Sequence, residues 1–138
     1  MKNVANIFVY IEFSSDKLPR ETIERLWGDA DMFFSSKGEL TFTFESGKKV
    51  ESIRQKDYCN VRYELIQSEK EINDIALEVL NNQKDNISYI SKMCTDIVKR
   101  IHLCIYPDSE QFTFDFSSEL LKTLVELNME IGTTVLHL

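Results

Sequence analysis

The chain has 138 residues, of which 43% are hydrophobic and 28% charged, and its formal net charge is −7 at pH 7. This length suits one domain, residues 1–138, that can bury a core without disulfides or metals. The acidic balance argues against a binder of nucleic acid or of anionic membranes, since both need a basic surface, and it favours a basic protein partner.

The first predicted element is a strand from Val4 to Phe13, in which apolar residues alternate along the chain. Tyr10 and Glu12 fall on the face opposite Ile11 and Phe13 because successive side chains of a strand point to opposite sides. The run contains Glu12 and has no small-residue cleavage site, so we interpret it as a strand and not as a signal peptide. No stretch approaches the ~18 apolar residues of a membrane span.

A helix is predicted over SSDKLPRETIERLWG, with Pro19 in its first turn and Gly28 as its stop. Residues 29–50 then predict a hairpin, because MFF and the alternating LTFTF flank the turn signal SSKGE. Leu40, Phe42 and Phe44 are expected to face the core. The following ESGKKVESIRQKD has little periodicity and is expected to form an exposed, mobile loop.

A strand from Tyr58 to Gln67 leads into a region of two predicted helices. Ser68 is the expected N-cap of the first, since Glu71 three residues later completes a capping box. This helix is expected to run from Glu69 to about Asn82. The polar stretch NNQKDN predicts a break, and the second helix is expected at Ile87–Thr95.

The last third of the chain predicts a strand, a helix and a strand in a βαβ-like unit. The strands are expected at Val98–Tyr106 and Ile131–Leu138, and Ser117 is the expected cap of the helix between them. The apolar side of this helix should bury Leu120, Leu121, Leu124, Val125 and Leu127. Together the elements predict an α+β two-layer sandwich: a mostly antiparallel sheet of five or six strands with helices packed on one face.

The three cysteines, Cys59, Cys94 and Cys104, are odd in number and lack CxxC spacing. They predict free thiols in a reducing cytoplasm. Only two histidines, His102 and His137, accompany them, which is too few for the usual zinc site. We therefore expect no metal and no cofactor.

His102, Cys104 and Tyr106 share one face of their strand, which invites a cysteine–histidine catalytic pair. Neighbours at i and i+2 lie about 6.5–7 Å apart along a strand, beyond hydrogen-bond reach, and no P-loop, Rossmann, nucleophile-elbow or HExxH motif is present. The sequence thus predicts no catalytic residues and no enzyme. Between Pro107 and Glu130, six acidic residues against one lysine form an acidic segment whose ordinary explanation is solvated charge.

The outward face of the sheet is the candidate binding surface. It would carry Tyr10, Arg62, His102 and Tyr106, and aromatic side chains mixed with arginine are typical of protein-binding surfaces. Asp115 and Glu119 of the acidic segment would steer a basic partner toward it. Helices or an oligomer partner could instead cover this face, and a small ligand could bind there.

The segments YELIQSEKEINDIALEVLNNQKDNISYI and IHLCIYPDSEQFTFDFSSELLKTLVELNMEIGTTVLHL resemble the bacterial domain-of-unknown-function family 4279. The likeness covers about Ile7 to Leu138 and includes an LS-x-E-type helix cap, here FSSELL at residues 116–121. The family implies the same order of elements, with paired helices in the middle, and carries no agreed catalytic residues. Some of its relatives look like immunity proteins, which would make a toxin the partner.

Overall fold

The computed structural model describes residues 4–66, 71–108 and 112–136. Their backbone forms seven strands and three helices. The strands are β1 (Val4–Ser15), β2 (Asp31–Ser35), β3 (Leu40–Glu45), β4 (Lys48–Ile53), β5 (Asp57–Ile66), β6 (Val98–Pro107) and β7 (Glu130–Val135), and the helices are α1 (Arg20–Trp27), α2 (Ile72–Met93) and α3 (Ser118–Leu127).

Five of the strands form one sheet in the order β2-β5-β1-β6-β7. All neighbours in it are antiparallel except β6 and β7, which are parallel. The reason is that α3 carries the chain back to the end of the sheet at which β6 begins. β3 and β4 form a separate two-stranded sheet. The predicted α+β two-layer sandwich is confirmed, and so is the βαβ unit at the end of the chain.

The core lies between one face of the five-stranded sheet and the helices. β1 is the central strand, and its alternation places Phe13 opposite Cys59 of β5 and Val9 opposite Leu103 of β6. Each of these side chains is fully buried, because strands on both sides and helices above exclude water. The helices contribute the facing layer of the core: Ile23 and Trp27 from α1, Ile72, Ile75, Ala76, Val79, Leu80, Ile87 and Ile90 from α2, and Leu120, Leu124 and Leu127 from α3.

The ends of α1 and α3 follow their sequence signals. Pro19 precedes the first residue of α1, and Gly28 ends the helix at a φ of 56°, a conformation that glycine adopts without a Cβ clash. The Ser117 hydroxyl accepts a hydrogen bond from the Leu120 amide at 3.1 Å, as predicted. At the other end of α3 the buried Lys99 amino group donates to the Leu127 carbonyl, which places a cation at the negative end of the helix.

The middle of the chain contains one helix where two were predicted. α2 has 22 residues and continues through NNQKDN, so the predicted break and the separate second helix are wrong. Asn and Asp cost a helix well under 1 kcal/mol each, whereas only Gly or Pro would interrupt it strongly. The Asn86 amide also donates to the Leu26 carbonyl at 3.3 Å, and Ile87 and Ile90 continue the buried stripe. The predicted cap at Ser68 and the helix start at Glu69 lie outside the described residues.

The predicted hairpin between MFF and LTFTF is also wrong. β2 pairs with β5 in the main sheet, and β3 pairs with β4. The turn joining β3 to β4 is Ser46–Gly47, both with positive φ (51° and 78°), which is the backbone of a two-residue type I′ hairpin. The segment expected to be a mobile loop therefore contains a strand, and Leu40, Phe42 and Phe44 are exposed instead of facing the core.

The register of α3 corrects two residues of its predicted apolar side. Leu120, Leu124 and Leu127 are buried, but Leu121 is 46% exposed and Val125 is 79% exposed. Residues 120, 124 and 127 lie at i, i+4 and i+7 on one side of the helix, whereas 121 and 125 are turned about 100° away. The last strand is shorter than predicted, and the positions expected to extend it at His137 and Leu138 lie outside the described residues.

Candidate functional site: the open face of the sheet

The side of the five-stranded sheet away from the helices is called here the open face. No described helix packs on it, because the buried residues of α1, α2 and α3 all belong to the core on the opposite side. Its side chains alternate with the core residues along each strand. They include Phe8, Tyr10 and Glu12 of β1, Asp31 and Phe33 of β2, Tyr58, Asn60, Arg62 and Glu64 of β5, Arg100, His102, Cys104 and Tyr106 of β6, and Glu130, Gly132 and Thr134 of β7.

Phe8 lies at the centre of an aromatic and cationic group. Its ring contacts Tyr106 edge to face, with the ring centroids 5.8 Å apart. On its other side the guanidinium of Arg62 lies 5.4 Å from the Phe8 centroid, within the range of a cation–π contact. Arg62 Nη2 also contacts Asp31 Oδ2 at 2.6 Å, and this hydrogen bond raises the pKa of the guanidinium. An exposed pair of this kind adds little stability, so its main effect is to orient Arg62.

A second group joins Tyr10 to the edge of the sheet. The Tyr10 and His102 rings pack edge to face across β1 and β6, with centroids 6.5 Å apart. His102 Nε2 lies 2.8 Å from Thr134 Oγ1 of β7. Gly132 is the cross-strand partner of His102, and a Cβ there would lie 2.8 Å from Nδ1, so the absence of a side chain makes room for the imidazole. Three strands thus fix the position of His102.

A third group centres on Glu12. The Tyr58 hydroxyl donates a hydrogen bond to Glu12 Oε2 and accepts one from Asn60 Nδ2 at 3.1 Å. Burial, together with the hydrogen bond to Glu12, raises the pKa of Tyr58, so its hydroxyl stays protonated and donates. Arg100 Nη1 lies 3.9 Å from Glu12 Oε1. This end of the face is therefore organised by polar contacts.

The open face also contains a shallow depression of about 350 Å³. Its walls are Tyr10, Asp31, Phe33, Asn60 and Arg62, together with Met32. The volume is at the lower end of the range for small-molecule sites, and the lining combines aromatic rings with a guanidinium and a carboxylate. The depression can thus admit either a side chain of a partner or a small ligand.

Four of the six predicted binding residues meet on the open face. Tyr10, Arg62 and His102 lie on adjacent strands, and Tyr106 contacts Phe8 beside them. Asp115 and Glu119 do not join them. Both are exposed and lie at the start of α3, where the Asp115 carbonyl accepts a hydrogen bond from Asn73 of α2 at 2.7 Å. The acidic segment is therefore divided, since Glu130 lies on the open face and Asp115 and Glu119 do not.

Sequence reasoning missed several residues of this face. Phe33 and Asp31 belong to it because β2 pairs with β5. The sequence instead predicted that β2 pairs with β3, so neither residue was expected beside Asn60 and Arg62. The Tyr58 ring lies 6.4 Å from Phe33 and beneath the Arg54 guanidinium at 4.8 Å. The strict alternation of β5 was the available signal, because it puts Tyr58 on the same side as Asn60 and Arg62.

Of the three cysteines, Cys104 is the one on a described strand of the open face, where it is half-buried opposite Phe8. All three cysteines are free, as predicted, and Cys59 is fully buried on the core side. Within residues 4–66, 71–108 and 112–136, no group of three or more His, Cys, Asp or Glu side chains is arranged to hold a metal ion.

Among the described helices, none has the length and apolar character that a membrane span requires.

Comparison of the chain with protein-family models, with curated proteins and with solved structures finds no match. The residues of the open face and the charges around them are therefore the main guide to function.

Proposed function

We propose that this chain is a protein-binding domain without catalytic activity, and that its open face is the contact surface. The partner is a basic protein, and the site of action is the cytoplasm. The observation that carries the proposal is the Phe8 group, in which Tyr106 and Arg62 flank one central ring on a sheet face that no described helix covers. Tyrosine and arginine are the residues that most often dominate binding energy at protein interfaces.

The preorganisation of these side chains supports the same proposal. Arg62 is held by Asp31, and His102 is held by Thr134 over Gly132. Side chains already fixed before contact lose little conformational entropy on binding, which improves affinity without adding contacts.

Charge supports the choice of a basic partner. The strands of the open face carry four described carboxylates, Glu12, Asp31, Glu64 and Glu130, against the guanidinium groups of Arg62 and Arg100. Arg54 adds a third guanidinium over the Tyr58 ring, so the carboxylates still outnumber the cations. The whole chain has a net charge of −7, so long-range attraction and local complementarity favour the same kind of partner.

The resemblance to family 4279, whose implied pair of helices is the single helix α2 in this chain, leads to a narrower proposal for the partner. Because some relatives in that family look like immunity proteins, we propose a toxin as the protein that this surface neutralises. An immunity protein must cover its target tightly, and an aromatic, preorganised face is suited to that task.

Capture of the partner from extracts of the native organism tests the proposal. The baits are the unaltered chain, Tyr10→Ala, Tyr106→Ala and a matched control, Val125→Ala, which removes an exposed apolar group from the helix layer. We expect the same protein on the unaltered chain and on Val125→Ala, at strongly reduced yield on the tyrosine variants. Equal recovery by all four baits would place the contact elsewhere.

A small-ligand-binding domain is the second candidate, and the 350 Å³ depression around Tyr10, Asn60 and Arg62 favours it. Native mass spectrometry of the purified chain distinguishes the two. A small molecule retained by the unaltered chain and lost from Arg62→Ala, with no protein partner captured, would support this candidate.

A further inference from the structure

The two-stranded sheet of β3 and β4 has one apolar side that no described element covers. Leu40, Phe42 and Phe44 of β3 and Ile53 of β4 lie on this side, which is called here the hairpin face. Each of them is between 46% and 75% exposed. An isolated two-stranded hairpin is marginally stable in water, so a sheet of this kind is normally stabilised by packing against a third element.

We propose that the hairpin face binds the hairpin face of a second copy of this chain, giving a two-fold symmetric dimer. The proposal is independent of the function assigned to the open face, which belongs to the other sheet.

Self-complementary charge favours a second copy as the occupant. The hairpin face carries one cation, Lys49, and one anion, Glu51, two positions apart on β4. Lys49 Nζ lies over the Phe42 ring, 4.0 Å from its centroid, which places it on the apolar side. A surface with equal and opposite charges beside an apolar stripe matches itself after a two-fold rotation, as an isologous interface requires.

One position of the two-fold axis satisfies both kinds of contact. Suppose that the axis lies between the two hairpin faces, above the Thr43–Val50 pair, parallel to the sheets and perpendicular to the strands. It then places the Phe42–Glu51 pair of one copy opposite the Phe44–Lys49 pair of the other. Phe42 then meets Phe44 of the second copy, and Lys49 meets Glu51 of the second copy. β3 carries no charge between Leu40 and Phe44, so the contact brings no like charges together despite the net charge of −7.

The area is sufficient for a reversible dimer. The four apolar side chains each expose roughly 100 Å² or more, so two copies bury on the order of 800 Å² through them alone, and neighbouring charged side chains add to this. A stable interface needs about 1,200 Å² or more, so we expect association that depends on protein concentration.

Sedimentation velocity of the full chain, from about 1 µM to about 500 µM, tests the proposal. We expect the mass to rise from 16.1 kDa toward twice that value. Phe44→Ser should abolish the rise, whereas Val125→Ser, which alters an equally exposed apolar residue on α3, should leave it unchanged. Circular dichroism checks that each variant is folded.

A charge exchange makes the test specific to this axis. Glu51→Lys gives each hairpin face two cations and should raise the dimer dissociation constant at least about tenfold, since like charges at an interface are costly. Adding Lys49→Glu to the same chain restores opposite charges and should recover the original constant to within about threefold. A chain that stays monomeric throughout, a dimer insensitive to Phe44→Ser, or a double variant no tighter than Glu51→Lys would overturn the proposal.

Discussion

Gly132 of β7 lies directly beneath the imidazole of His102 on the neighbouring strand β6. A Cβ at residue 132 would stand 2.8 Å from His102 Nδ1, closer than non-bonded atoms approach. The ring is held from its other side by the 2.8 Å contact between Nε2 and Thr134 Oγ1. The place of His102 on the open face thus depends on a residue with no side chain.

Gly132→Ala should therefore displace the His102 ring and break its contact with Thr134. The lost hydrogen bond is worth about 0.5–1.5 kcal/mol, so the free energy of unfolding should fall only by that order. Long-range ¹H–¹⁵N correlation spectra of the ring should show a change at Nε2. Thr134→Val, which removes the hydroxyl and keeps the shape, should give the same change, and an unaltered ring spectrum in both variants would contradict this geometry.

The register of α3 predicts unequal effects at adjacent positions. Leu124→Ala should lower the free energy of unfolding by about 2–5 kcal/mol, because the side chain is buried and its removal leaves a cavity. Val125→Ala and Lys122→Ala should change it by less than about 0.5 kcal/mol, since both residues are exposed. Urea denaturation measures all three, and similar losses at 124 and 125 would show the register to be wrong.

Much of this fold was predictable because its strongest signals are local. The alternation of β1 and β6, the Ser117 cap and the β6–α3–β7 unit each depend on a few neighbouring residues, and each was predicted correctly. The errors occur where tertiary contacts decide. The chain alone does not show that the Leu26 carbonyl accepts a hydrogen bond from Asn86 and so supports α2 through a polar stretch.

The open face was predictable in part for the same reason. Period-2 spacing placed Tyr10, Arg62, His102 and Tyr106 on one side of their strands, but strand order decides which of them are neighbours. Alternation in LTFTF likewise revealed an apolar side and could not reveal what covers it. Phe44 is 75% exposed because β3 pairs with β4 in a separate sheet and not with the core sheet, although its alternation equals that of a core strand.

The cysteines should differ in reactivity and in their effect on stability at high pH. Burial raises the pKa of the Cys59 thiol to about 12, against about 8.5 in an unfolded chain. As pH rises, the thiol of the unfolded chain therefore loses its proton before the thiol of the folded chain. The free energy of unfolding keeps the full contribution of Cys59 below pH ~8.5 and loses it progressively as pH rises toward 12. Thiol titration of the native chain should find Cys59 slow, with three thiols after denaturation.

Cys59→Ala provides the control for the pH effect. Between pH ~8.5 and ~10.5 the free energy of unfolding of this variant should fall less steeply than that of the unaltered chain. The reason is that the variant lacks the thiol whose pKa differs between the folded and unfolded states. Parallel pH profiles for the two proteins would contradict the assigned burial of the thiol.

The turn of the hairpin offers a local test of the β3–β4 pairing. Ser46 has a φ of 51°, a left-handed conformation that asparagine adopts more readily than serine. Ser46→Asn should stabilise the hairpin and slow amide exchange within β3 and β4, whereas Gly47→Val should accelerate it, because a β-branched residue disfavours the φ of 78°. Hydrogen exchange followed by mass spectrometry measures both, and exchange unchanged in either variant would count against a type I′ turn.

Charge should set the association rate with the partner more than its dissociation rate. Glu64→Lys with Glu130→Lys changes the open face itself, and Asp115→Lys with Glu119→Lys changes the start of α3 by the same four units of charge. We expect the first pair to slow association more, and the difference to shrink as salt shortens the Debye length from ~10 Å at 0.1 M to ~3 Å at 1 M. Stopped-flow or surface-based kinetics at two salt concentrations measures this, and equal slowing by both pairs would indicate steering by net charge alone.

The most direct test of the open face as the contact surface is the dissociation rate of the captured partner, measured with the purified proteins. Tyr10→Ala and Tyr106→Ala should each raise that rate at least about tenfold, which corresponds to about 1.4 kcal/mol, while Val125→Ala should change it less than about twofold. If neither tyrosine substitution changes the dissociation rate, or if Val125→Ala raises it more than they do, the open face is not the contact surface.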